Sequence, residues 1–145
     1  MKTYTVCPAC GAVNGVALER EGRPRCGTCK AHLDALQDGV SALQGRPLAT
    51  LLAQSPLPVA VDCWAPWCGP CRAFAPTFLH AARTLAGKVA FVKLNTEEDP
   101  ASGDRYNIHS IPTLLFYKGG HEVDRISGAL PYEHLLQWIE HGLRP

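Results

Sequence analysis

The chain has 145 residues, 46% of them apolar and 19% charged, with a formal net charge of +1. That content suits one ordinary soluble domain, or one domain plus a small appendage, and it argues against disorder. No apolar run approaches the roughly 18 residues of a membrane helix, no apolar stretch of a secretory signal follows Met1-Lys2-Thr3-Tyr4, and the near-neutral charge gives no electrostatic ground for binding nucleic acid.

In chain order, residues 1–35 are short on aliphatics and rich in turn residues, so they need a metal or bridges to fold. From residue 36 to 145 strand-like and helix-like segments alternate. Val40–Leu43 reads as a weak edge strand and Leu48–Gln54 as a short helix. Val59–Trp64 is an apolar, β-branched run and reads as a buried strand. Cys71–Ala86 reads as a helix with Phe74, Phe78, Ala82 and Leu85 on one face, a kink at Pro76 and a stop at Gly87. Val89–Asn95 is a second buried strand, and Asp99-Pro100 caps a short helix through Tyr106. Thr113–Tyr117, Gly119-Gly120 and Glu122–Ser127 form a hairpin. Pro131–Leu143 is the last helix, with Tyr132, Leu135, Leu136 and Ile139 facing inward. The fold class is α/β: a mixed central sheet with helices on both faces.

Seven cysteines fall at positions 7, 10, 26, 29, 63, 68 and 71. Six make three Cys-x-x-Cys pairs, and the odd count argues against a fully paired disulfide framework. The spacing Cys7-x2-Cys10-x15-Cys26-x2-Cys29 is that of a four-thiolate zinc site, two knuckles facing each other across a tetrahedron. Gly11 and Gly27 let each knuckle turn its N–H groups toward sulfur. Four ligands with no open position make such a zinc structural. Mononuclear iron and a second disulfide system use similar spacing and stay open. Residues 1–34 carry an excess of only two positive charges, too few to point to nucleic acid.

The third pair stands in Trp64-Ala65-Pro66-Trp67-Cys68-Gly69-Pro70-Cys71, where the buried strand gives way to the helix. Cysteines at i and i+3 there can close and open a disulfide. The helix N-terminus presents unpaired N–H groups and partial positive charge, which favours the Cys68 thiolate. Cys71 lies one turn inside and is shielded, so Cys68 attacks and Cys71 resolves. Gly69 lets a partner approach, and Pro70 stiffens the loop and opens the helix.

Residues 36–145 resemble the thioredoxin family, whose hallmark is Trp-Cys-Gly-Pro-Cys. The joined zinc-ribbon-like extension, 1–35, resembles that of the bacterial zinc-containing thioredoxin 2 type. The resemblance implies a thioredoxin fold. It implies that Asp62, a carboxylate expensive to bury in an apolar strand, relays the proton of Cys71 with Lys93 beside it. It implies that Ile111-Pro112 is a cis-proline loop facing the dithiol, where the Ile111 backbone pairs with an extended substrate as an added strand. Trp67 and the glycine loop at Gly128 would complete an open docking surface, with Trp64 packed beneath. The implied activity is reduction of disulfides in client proteins in the cytoplasm. The redox-active disulfide would be recycled by thioredoxin reductase, with NADPH bound there and no nucleotide bound by this chain. A monomer is expected, without nucleic acid or membrane partners. Cys63 departs from the family's usual phenylalanine, and its strand parity, opposite to Asp62 and Trp64, points it into the core. Two other readings remain: a zinc-dependent binding module on a thioredoxin scaffold, and a ribbon that senses oxidation by releasing zinc.

Overall fold

A computed structural model describes all of residues 1–145. The elements run β1 (Lys2–Val6), β2 (Val13–Ala17), β3 (Leu36–Gln37), β4 (Val40–Ala42), α1 (Gly45–Gln54), β5 (Val59–Trp64), α2 (Gly69–Thr84), β6 (Ala90–Asn95), α3 (Pro100–Arg105), β7 (Thr113–Lys118), β8 (His121–Ser127) and α4 (Tyr132–Leu143). From β4 onward the order matches the one expected from periodicity. A six-stranded sheet has the order β3-β4-β6-β5-β7-β8. β5 lies inside it, parallel to β6 and antiparallel to β7, which is why its sequence is an almost unbroken apolar run.

One expectation is corrected at the sheet margin. Val40–Ala42 is not the edge, because β3 pairs with β4 antiparallel outside it, Gln37 opposite Val40. The two residues between them, Asp38 and Gly39, have φ of 52° and 82°. Asp-Gly with positive φ at both positions is the preferred two-residue hairpin turn. Gly119 and Gly120, with φ of 61° and 83°, make the same turn between β7 and β8.

Strand alternation sorts side chains onto two faces. One face holds Ala60, Phe91, Leu114 and Phe116 against Phe74 and Phe78 of α2 and Leu135 and Ile139 of α4. The other holds Val59, Val61, Cys63, Val92, Leu94 and Leu115 against Leu48, Leu51 and Leu52 of α1. Tyr132 and Leu136, expected to face inward, are only partly buried; the Tyr132 ring stacks on His80 at 3.9 Å between centroids.

The amino-terminal stretch carries more regular structure than its composition implied. β1 and β2 form an antiparallel hairpin from Lys2 opposite Ala17 to Val6 opposite Val13. Val6 is fully buried within the second of the two cores. The buried Ser41 hydroxyl donates to Thr5 Oγ1 at 2.9 Å, tying β1 to β4. Thr3 and Thr5 are buried on one side of β1 and Val6 on the other, where long aliphatics are lacking.

α4 ends against β7 with no spare room. A Cβ built on Gly142 would sit 2.7 Å from Cδ2 of Phe116, a fully buried ring held edge-on to Trp138 at 5.9 Å. Gly142→Ala is therefore expected to lower unfolding free energy by about 1–3 kcal/mol, despite alanine's better helix propensity. Chemical denaturation with the dithiol state held fixed measures it; a variant as stable as the parent would mean the ring shifts freely.

Candidate active site and cysteine cluster

The dithiol sits where its strand-to-helix context demands. Cys68 is the N-cap of α2, and its sulfur accepts the backbone N–H of Cys71 at 3.2 Å. Gly69 and Pro70 fill the first helical turn, where the missing N–H of proline costs nothing. Cys68 and Cys71 are joined as a disulfide with Cα atoms 5.2 Å apart. Cys68 is 5% exposed and Cys71 1%. The order of accessibility is the expected one, but Cys68 is itself mostly covered rather than freely exposed. Trp67 beside it is 68% exposed.

Facing the dithiol is the segment before β7. The Ile111–Pro112 peptide bond is cis, and the Ile111 carbonyl oxygen lies 3.9 Å from Cys68 Sγ. The Ile111 backbone takes no part in any backbone–backbone hydrogen bond outside the helices and strands. The Gly128 N–H donates to the Pro112 carbonyl at 2.8 Å. Gly128 has φ 103°, and a Cβ there would meet nothing within 4 Å, so it lies at an open part of the surface. Three hydroxyls, of Ser110, Thr113 and Ser127, surround the same loop. No motif marked Ser110 or Ser127; only the hairpin register, which places Ser127 opposite Thr113, brings them together.

Asp62 shares the α2-facing side of β5 with Ala60, and its register neighbours are Lys93 and Leu114. It is fully buried, and neither carboxylate oxygen has a hydrogen-bond partner. Burial pushes its carboxyl up to about 7, against a smaller lowering influence of the Lys93 charge. The Lys93 ammonium lies 4.3 Å over the Trp64 ring rather than on the carboxylate. Lys93 thus adjoins Asp62 electrostatically without a hydrogen bond. Cys63 points to the opposite face, fully buried, and burial raises its thiol to about 12. His109 is exposed.

A disulfide that closes at a helix N-terminus, beside a backbone segment without backbone partners, can exchange with other disulfides. A family model for thioredoxin matches residues 39–141. The chain belongs to the thioredoxin family. It is 39% identical over 140 residues to Thioredoxin C-3 of Corynebacterium nephridii, covering 96% of this chain and 94% of that one. It is 40% identical over 133 residues to the chloroplastic Thioredoxin M4 of Arabidopsis thaliana, covering 92% of this chain and 68% of that protein. With a Synechocystis thioredoxin it shares 51% over 86 residues, 59% of this chain and 80% of that one. As a thioredoxin, the protein is a thiol–disulfide oxidoreductase. No helix is long and apolar enough to cross a membrane.

The other four paired cysteines also converge. The sulfurs of Cys7, Cys10, Cys26 and Cys29 all lie within 4.8 Å of one another. Cys7–Cys29 and Cys10–Cys26 are each 3.6 Å apart. A tetrahedral metal with bonds of about 2.3 Å to sulfur requires separations of about 3.8 Å, so the cluster fits such an ion. The two knuckles are built alike. Cys7 and Cys26 each donate through their N–H to the residue five ahead, Ala12 and Ala31, and each accepts at its carbonyl from the residue four ahead, Gly11 and Lys30. Those last two hold positive φ, 81° and 67°. The left-handed residue of the second knuckle is thus Lys30, and Gly27 does not turn its N–H toward sulfur as expected. Gly27 donates its N–H to Asn14 Oδ1 at 2.9 Å instead. Asn14, which no motif flagged, also sends its amide toward Cys26 Sγ at 3.4 Å, as does the Thr28 N–H. Hydrogen bonds from the Cys29 backbone, Asn14 and Thr28 hold the Cys26 thiol down to about 5.

Proposed function

We propose that the protein reduces disulfides of client proteins with the Cys68–Cys71 pair and is itself re-reduced by a thioredoxin reductase drawing on NADPH. The observation that carries this reading is the closed Cys68–Cys71 bond at the α2 N-terminus, 3.9 Å from the Ile111 carbonyl, which has no backbone partner. In the reduced protein the Cys68 thiolate attacks one sulfur of a client disulfide. A mixed disulfide forms and the other client sulfur leaves as a thiolate. Cys71 then gives its proton to Asp62 and attacks Cys68 Sγ, releasing the second client thiolate. Two electrons have passed to the client, and the protein is left oxidised. Lys93 tunes Asp62 through its charge. Trp67, Gly69, Pro70, Ile111, Pro112 and Gly128 form the surface on which the client lies, its backbone pairing with Ile111 as an added strand.

Residues 1–35 serve as a metal-held ribbon and 36–145 as the catalytic domain. One zinc ion held by Cys7, Cys10, Cys26 and Cys29 is favoured by the soft, fourfold thiolate set. It supplies a cross-link and no open coordination position. Five thiols outside the redox pair are unbridged, which suits a reducing compartment, and a cytoplasmic monomer is the reading adopted.

The test is an NADPH-coupled assay with thioredoxin reductase and insulin, run beside metal analysis of the same sample. Turnover with one zinc per chain is expected. Stripping the metal with a chelator under reducing conditions is expected to lower thermal stability while leaving the dithiol titratable. No NADPH consumption with a competent reductase would overturn the reductase reading. Less than a stoichiometric metal in protein prepared with zinc would overturn the ribbon assignment.

A further inference from the structure

We propose that Ser127 is a positioning residue: its hydroxyl closes a ring of hydrogen bonds that holds the Ile111 backbone in register for an incoming client strand. The inference rests on the reading that clients pair with Ile111.

The ring follows from proton arithmetic. Thr113 Oγ1 lies 2.6 Å from the Ser110 carbonyl, which can only accept, so the single Thr113 hydroxyl proton is committed there. Ser127 must then donate its own proton to Thr113 Oγ1 at 3.1 Å. The Ser110 hydroxyl in turn donates to Ser127 Oγ at 3.2 Å. The path runs from the Ser110 side chain to Ser127, to Thr113 and back to the Ser110 carbonyl. It brackets Pro112 and Ile111, whose carbonyl lies 3.9 Å from Cys68 Sγ. The next residue along β8 completes the grip, since the Gly128 N–H holds the Pro112 carbonyl at 2.8 Å. Of the three hydroxyl residues, only Ser127 comes from outside the loop and its own strand, β7.

The placement speaks for positioning more than for stability. Ser110 and Ser127 are exposed, and hydrogen bonds open to water contribute little to folding. The buried Thr113 keeps its bond to the Ser110 carbonyl whether or not Ser127 is present. What Ser127 adds is a fixed spacing between the residues on either side of Ile111-Pro112. Main-chain pairing with a second strand depends on that spacing, because a shift of a fraction of a hydrogen-bond length weakens both bonds of the pair. A small disulfide without a peptide backbone has no use for it.

The experiment compares wild type, Ser127→Ala and Ser127→Thr on three substrates. These are an extended disulfide peptide, the same peptide N-methylated at the backbone amides flanking its cysteine, and a small non-peptide disulfide. For the extended peptide, Ser127→Ala is expected to raise KM about fivefold with kcat changed less than twofold. Ser127→Thr, which keeps the hydroxyl on a β-branched strand residue, restores KM to within twofold. The alanine variant should discriminate less between the plain and methylated peptides than wild type does. An unchanged KM, an equal loss on the small disulfide, or no rescue by threonine would overturn the role of Ser127. If wild type handles the two peptides alike, pairing at Ile111 itself fails and the proposal falls with it. If wild type discriminates and Ser127→Ala discriminates equally, only the assignment of Ser127 fails.

Discussion

Cys68→Ser is expected to reduce the turnover of protein disulfides to the uncatalysed background, a loss on the order of 10³-fold or more. Cys71→Ser is expected to stop the same reaction one step later. The asymmetry follows from position. Cys68 is the N-cap of α2, less covered than Cys71, and adjoins the unpaired Ile111 backbone. A hydroxyl in its place is not ionised near neutral pH and cannot open a disulfide. Without Cys71 the first exchange still proceeds, but nothing intramolecular displaces the client. Cys71→Ser should therefore accumulate a covalent adduct, seen as a band on non-reducing gels that dithiothreitol removes. The two variants together separate attack from resolution. If Cys68→Ser turned over and Cys71→Ser trapped nothing, the roles would have to be exchanged or abandoned.

The parts of this site that the sequence disclosed are those whose chemistry is local. A cysteine pair three residues apart at a strand-to-helix junction, and a lone carboxylate in the run Val59–Trp64, stand out because each violates the apolar or helical pattern around it. The strands and helices after residue 40 are legible for the same reason: their periods are long enough to read. Other features depend on pairing between distant segments. Ser110 and Ser127 are ordinary polar residues until the β7–β8 register sets Thr113 opposite Ser127. Asn14 becomes part of the cysteine cluster only because the β1–β2 hairpin carries it beside Cys26. β3 has just two residues and no period, yet Asp38-Gly39 was a readable turn signal, and it converts the expected edge strand at Val40 into an inner one. The amino-terminal hairpin was hidden by composition, since the buried residues of β1 are two threonines and one valine where a long aliphatic stripe would have been conspicuous. Lys93 shows the limit in the other direction. Its register with Asp62 is as the resemblance implied, but its ammonium rests on Trp64.

In its proposed role Asp62 links the energetics of the fold to those of the reaction, and Asp62→Asn should move the two in opposite directions. The folded protein holds the Asp62 proton up to about pH 7, whereas an unfolded chain releases it near pH 4. Between those values the folded state binds more protons than the unfolded one. Stability therefore falls as pH rises from about 4 to about 7, then stays low, for a total on the order of 4 kcal/mol. Asparagine has the same shape and no charge, so the variant escapes this loss. Its amide is buried without partners much as the protonated acid is, so at pH 4 the two proteins should unfold within about 1 kcal/mol of each other. At pH 8 the variant should be more stable by several kcal/mol, raising the melting temperature by about 10 °C. Turnover should move the other way. On the proposed route Cys71 loses its proton acceptor, and the resolving step should slow on the order of 10²-fold at neutral pH. The deficit should shrink as pH rises and solvent takes over deprotonation of the thiol. Denaturant unfolding at pH 4, 6 and 8, with single-turnover reduction of a disulfide peptide across the same range, measures both arms. Parallel stability curves for the two proteins would mean that Asp62 is solvated or paired in solution. An unchanged rate would mean that the Cys71 proton leaves by another route.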